Sequence, residues 1–129
     1  MSQRGLDRER RVRDLLSEWG WVAIRAAKGP VDVVANVADA EARHPLAPGH
    51  PVFIVRGCLF VQVKTTASAA YDSFLPSERA ILSTMAAKAG AEAWLCWWPP
   101  NRPPVWIPES SWPKPRAIVN AGRAATFEW

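Results

Sequence analysis

The chain has 129 residues, 49% hydrophobic and 22% charged. That length suits one domain with a core that folds without disulfide or metal support, and the composition excludes a disordered chain. Sixteen Lys and Arg against twelve Asp and Glu give a formal net charge of +4, which favours a polyanionic partner. No apolar run nears the roughly 20 residues of a membrane helix. The charged start, MSQRGLDRERRVRDLL, lacks the apolar stretch of a signal peptide, so the expected location is the cytoplasm. Cys58 and Cys96 lie in apolar runs and are expected as buried free thiols, since two cysteines with no nearby histidine do not make a zinc site.

Residues 4–19, RGLDRERRVRDLLSEW, read as an amphipathic helix. Val12, Leu15, Leu16 and Trp19 fall at the spacing of one buried face, with Gly20 as the cap. Arg8, Arg11 and Asp14 fall opposite. Glu9 lies three residues before Val12 and seven before Leu16, in line with the apolar face, an odd place for a carboxylate. Residues 21–27 read as a strand with Val22, Ile24 and Ala26 on one face. Lys28-Gly29-Pro30 reads as a turn, and 31–37 as a second strand with Asp32 near its start.

The Pro-, Gly- and His-rich stretch 38–51 reads as a loop in which His44 and His50 are exposed. Residues 52–55 and 58–65 read as two strands of a hairpin around Arg56-Gly57. A loop follows over 66–75. Residues 76–89 read as a helix, with Pro in its first turn and Gly90 past its end. Residues 91–98 read as a buried strand, and after Pro-Pro-Asn-Arg-Pro-Pro a short strand follows at 105–107. The last twenty residues carry no clear period. This order predicts an α/β domain with a mixed sheet flanked by helices. Trp94, Trp97, Trp98 and Trp106 read as core or dimer-interface residues rather than base-stacking platforms.

Side chains alternate along a strand, so Gln62 and Lys64 share a face with Cys58 and Phe60. An amide and an ammonium thus follow buried positions, and burying them unpartnered would cost several kcal/mol. Asp32 interrupts the second strand, and Glu9 the first helix, in the same way. Four polar residues in apolar elements can satisfy one another at one place. Two carboxylates and an amide oxygen are hard ligands suited to Mg²⁺. A lysine beside them can orient or deprotonate a water or stabilise phosphate charge. That is the equipment of metal-assisted phosphodiester hydrolysis.

Glu on the first helix, Asp on the second strand and Gln-x-Lys on a later strand resemble the PD-(D/E)xK nuclease superfamily. ERRVRDLLSEWGWVAIRAAKGPVDVVA, followed by LFVQVKT, is most similar to the archaeal-type Holliday junction resolvases, including those of phages. Residues 4–9, 20–25, 32–33, 62–64, Tyr71 and the helix 76–89 carry the resemblance, which covers about 4–107. Residues 108–129 would be a C-terminal extension of one nuclease domain.

The resemblance implies a restriction-endonuclease-like fold, a central mixed sheet with helices on both sides. It implies a homodimer that cuts four-way DNA junctions in DNA recombination and repair, with Mg²⁺ as cofactor and Mn²⁺ able to substitute. The place of action would be the cytoplasm, or the host cytoplasm for a phage protein. Carried over singly, Glu9, Asp32, Gln62 and the Val63 carbonyl would hold metal, and Lys64 would be the catalytic lysine. Arg4, Arg8, Arg11, Arg25, Lys28 and Tyr71 would meet DNA. Gln62 departs from the usual Glu of E-x-K, and the turn AKGPVD lacks a serine that many archaeal resolvases carry. The alternatives are another nuclease or nickase of the superfamily, acting on duplex or flap DNA, and a catalytically silent DNA-binding module, for which Gln62 is the best argument.

Overall fold

Val12 and Leu16 are four residues apart, one helical turn, and both have no exposed surface. Burying side chains of that size stabilises a fold by about 1.5–3 kcal/mol each, which fixes the face the first helix turns inward. In the computed structural model, described over residues 3–26, 29–38, 41–46 and 51–113 and the strands Arg116–Ile118 and Thr126–Glu128, that helix is α1, Gln3–Glu18. Trp19 and Gly20 end it. Gly20 has φ +98°, and a Cβ there would meet the Glu41 carbonyl oxygen at 2.7 Å, so the turn out of α1 requires glycine.

Strands β1 (Trp21–Arg25), β2 (Val33–Val37), β3 (Ala42–His44), β4 (Val52–Ile54) and β5 (Cys58–Lys64) follow. Helix α2 (Pro76–Ala89), β6 (Glu92–Trp97), β7 (Val105–Pro108), a 3-10 turn Glu109–Ser111, β8 (Arg116–Ile118) and β9 (Thr126–Glu128) complete the described elements. The main sheet has the order β1-β2-β5-β6-β7. Only β5 and β6 pair in parallel. A parallel pair needs a crossover, and α2 supplies it.

Alternation along β5 sorts the core into two layers. Leu59, Val61 and Val63 pack with Val12 and Leu16 of α1. Phe60 packs with Phe74, Leu82 and Ala86 beneath α2. Gln62 and Lys64 share the Phe60 parity. The structure is thus a mixed sheet with a helix on each side, the restriction-endonuclease-like α/β fold that the sequence predicts. No helix among the described residues is long and apolar enough to cross a membrane.

Several local expectations need correcting. The segments 52–55 and 58–65 do not form a hairpin with each other. β4 pairs with β3, whereas β5 lies between β2 and β6. The supposed loop 38–51 therefore contains a strand. His44 is 9% exposed rather than solvated. The Leu46 N–H donates to its Nδ1 at 3.2 Å, so the ring proton sits on Nε2, which donates to Glu92 at 2.9 Å. His50 lies outside the described residues. Cys96 is buried but Cys58 only partly so, and both are free thiols. Of the two readings of Trp94, core or dimer interface, the structure gives core: β6 lies inside the sheet and Trp94 is 1% exposed. The large apolar side chains left exposed include Val22 and Ile24 on the edge strand β1. The strands β8 and β9 pair antiparallel within the segment that showed no period.

Candidate active site

Glu9 is carried into the interior by the helix face that Val12 and Leu16 bury, and it is 3% exposed. Arg25, at the end of β1, answers it, with Nε 3.5 Å from Glu9 Oε1. That is an ion pair, but neither atom has a hydrogen-bond partner. Burial raises the Glu9 pKa, and Arg25 opposes the rise.

Asp32 lies just before β2 and is 9% exposed. Its main chain is fixed on both sides. Its N–H donates to Val61 O, and its carbonyl accepts from the Ala26 N–H, each at 2.8 Å. Its side chain reaches β5, where the Val63 N–H donates to Oδ2 at 2.7 Å. Burial pushes the Asp32 carboxyl up to about 7. The Val63 hydrogen bond lowers it, the Glu9 charge raises it, Lys64 lowers it and Glu78 raises it. Asp32 therefore feels charges from both helices and from β5.

Gln62 is 5% exposed, and its Oε1 has no hydrogen-bond partner. Among the described residues, four buried side-chain polar atoms lack a partner: Glu9 Oε1, Arg25 Nε, Gln62 Oε1 and Trp106 Nε1. Three belong to residues of this candidate site. Two carboxylates with raised pKa and an orphaned amide oxygen are a donor set that fits a hard divalent cation. No group of three His, Cys, Asp or Glu side chains gathers to hold a metal among the described residues, so a third oxygen would come from an amide or the main chain.

Lys64 ends β5 with its side chain 17% exposed, and its Nζ lies 3.9 Å from Glu78 Oε2. Glu78 was not singled out from the sequence. It belongs to the first turn of α2, fourteen positions after Lys64, where an acid also serves as an ordinary helix-start residue.

The expected DNA contacts divide. Arg8 and Arg11 lie over the ring of Trp98, at 4.9 and 6.0 Å from guanidinium carbon to ring centroid. The Trp98 N–H donates to the Lys64 carbonyl at 2.8 Å, so this stack is anchored beside the candidate catalytic lysine. Asp7, Arg8, Arg10 and Arg11 line a cleft of about 590 Å³ on the same end of α1. Arg25 is engaged with Glu9. Tyr71 is in a turn as expected, but its ring lies 5.6 Å from the Arg79 guanidinium and its hydroxyl donates to Ser111 O at 3.4 Å. No described interaction ties it to Asp32 or Lys64. Arg4 lies on α1 with its side chain outside the described set, and Lys28 is outside the described residues. The part played by Trp98 was missed, although Arg8 and Arg11 fall on one helix face at i, i+3.

No family model and no curated protein matches the chain. Among solved structures, it is similar to Archaeoglobus fulgidus Hjc, a Holliday junction resolvase from an archaeal hyperthermophile. The two share 24% sequence identity with a TM-score of 0.59, over 84% of this chain and 75% of that one. At that identity the likeness shows a shared fold.

Proposed function

We propose that this protein is a Mg²⁺-dependent endonuclease that resolves four-way DNA junctions by paired nicks, acting as a homodimer. The observation that carries this reading is the setting of Asp32, gripped by the Val63 N–H and electrostatically coupled to Glu9 and Lys64, on a fold shared with a junction resolvase. Glu9, Asp32, Gln62 and the Val63 carbonyl would hold the metal, which supplies positive charge where negative charge builds on the scissile phosphate.

The chain's own residues do the rest. Val63 orients the Asp32 carboxylate through its N–H. Arg25 offsets part of the Glu9 charge and holds that side chain in place. The Lys64 ammonium donates to the phosphate or to the attacking water, where a fixed cation favours the developing charge. Arg8 and Arg11, braced on Trp98, meet the phosphates of the junction arms. Phosphate contacts position DNA without reading sequence, so selectivity comes from junction shape. A junction has two-fold symmetry and needs two cuts, and one chain supplies one site, which favours an isologous dimer.

The test is nick mapping on labelled four-way junction, flap and linear duplex of matched sequence, with Mg²⁺ or with EDTA. Nicks confined to the junction and dependent on Mg²⁺ support the reading. Equal cutting of all three would make the protein a general nuclease. Binding without cutting in Mg²⁺ and in Mn²⁺ would make it the silent module.

A further inference from the structure

We propose that Glu78, without being a metal ligand, supplies from beside the site the negative charge that Gln62 does not carry and tethers the Lys64 ammonium; the inference rests on the metal-dependent reading above. The two oxygens of Glu78 do different things. Oε1 accepts from the Leu75 N–H at 3.1 Å, an ordinary duty at the start of α2. Oε2 faces Lys64 Nζ at 3.9 Å, across the loop that separates β5 from α2. A capping residue needs only the first contact.

Charge arithmetic gives the second contact its meaning. Glu9 and Asp32 carry two negative charges when ionised, and Arg25 and Lys64 carry two positive ones. A site made of these four alone is neutral and attracts a divalent cation poorly. With Glu78 the balance is minus one. Gln62 occupies the strand position two before Lys64 and contributes an amide oxygen that is buried and unpartnered. It offers a ligand but no charge. Glu78 approaches Lys64 from the helix that packs over the same face of β5 and brings the charge from there.

Glu78→Gln separates the two duties, because an amide oxygen still accepts from the Leu75 N–H while the charge is gone. The measurement is Mn²⁺ titration of the DNA-free protein by calorimetry, for wild type, Glu78→Gln, Gln62→Glu and the double variant, with circular dichroism to show that each is folded. Glu78→Gln is expected to weaken Mn²⁺ binding by about tenfold, the effect of one nearby charge in a partly buried site. Gln62→Glu in the Glu78→Gln background is expected to restore it. Wild-type affinity in a folded Glu78→Gln protein would overturn the inference and leave Glu78 as a cap, with the nuclease reading intact. A wild-type protein that binds no Mn²⁺ would overturn both.

Discussion

The backbone N–H of Val63 donates a 2.7 Å hydrogen bond to Oδ2 of Asp32. It joins the residue just before β2 to the penultimate residue of β5 and holds a buried carboxylate in place. The bond lowers the Asp32 pKa but does not offset the cost of burial, which leaves the group up at about 7.

This has a consequence for stability without metal. The folded protein holds a proton on Asp32 up to about pH 7, whereas an unfolded chain releases it near pH 4. The folded state binds more protons across that window, so stability falls as pH rises from about 4 to about 7 and then levels. Three pKa units set a ceiling of about 4 kcal/mol. Thermal melts in EDTA should show this slope in the wild type and a shallower one in Asp32→Asn. Parallel pH profiles would show that the Asp32 charge is not strained.

The same variant separates chemistry from binding. Asp32→Asn should abolish cutting while junction affinity stays within about threefold of wild type, because the arginines on α1 are untouched. Nicking and gel-shift assays on one preparation check this. Cutting at the wild-type rate would remove Asp32 from the mechanism.

Lys64→Ala should also abolish cutting, but Mn²⁺ should bind as tightly as in wild type or more tightly, since a neighbouring cation has gone. Calorimetry reads the affinity. Weaker Mn²⁺ binding together with retained cutting would reverse the role assigned to this residue.

Trp98 braces two guanidinium groups, and a cation–π contact is worth about 0.5–2 kcal/mol. Trp98→Leu should therefore weaken junction binding by about three- to thirtyfold, with Trp98→Phe intermediate. Fluorescence anisotropy against junctions of unrelated sequence should show the same loss for each. Arg11→Ala should flatten the log–log salt dependence by about one unit. An unchanged slope would place Arg11 away from phosphate.

Much of the site was legible because polar residues interrupted apolar patterns. Glu9 broke a helical stripe, Asp32 a strand, and Gln62 and Lys64 the inner face of another. Each is mostly buried in the structure. The boundaries of α2 were legible for local reasons, Pro76 in its first turn and Gly90 in the left-handed region at its end. Glu78 was not legible, because its contact with Lys64 is tertiary and its sequence context is that of any helix start. The β3–β4 pairing was hidden for a similar reason. β4 was read as a strand but β3, three residues in a Pro- and Gly-rich stretch, shows no period, and the partner of His44, Glu92, lies 48 positions away. The tryptophans of β6 were read as core or dimer interface; Trp94 packs with Val12 and Leu16 on one face of the sheet and Trp97 against Phe74 and Leu82 on the other.

Paired cutting of a four-way junction can be read on a supercoiled plasmid carrying a cruciform. One unpaired nick releases the supercoiling and the cruciform is reabsorbed, leaving a nicked circle. Two nicks within one encounter leave a linear plasmid. With Mg²⁺ the protein should give linear product as the main species, with none in EDTA and none from Asp32→Asn. Nicked circles alone, or equal cutting of a plasmid without the cruciform, would contradict the account.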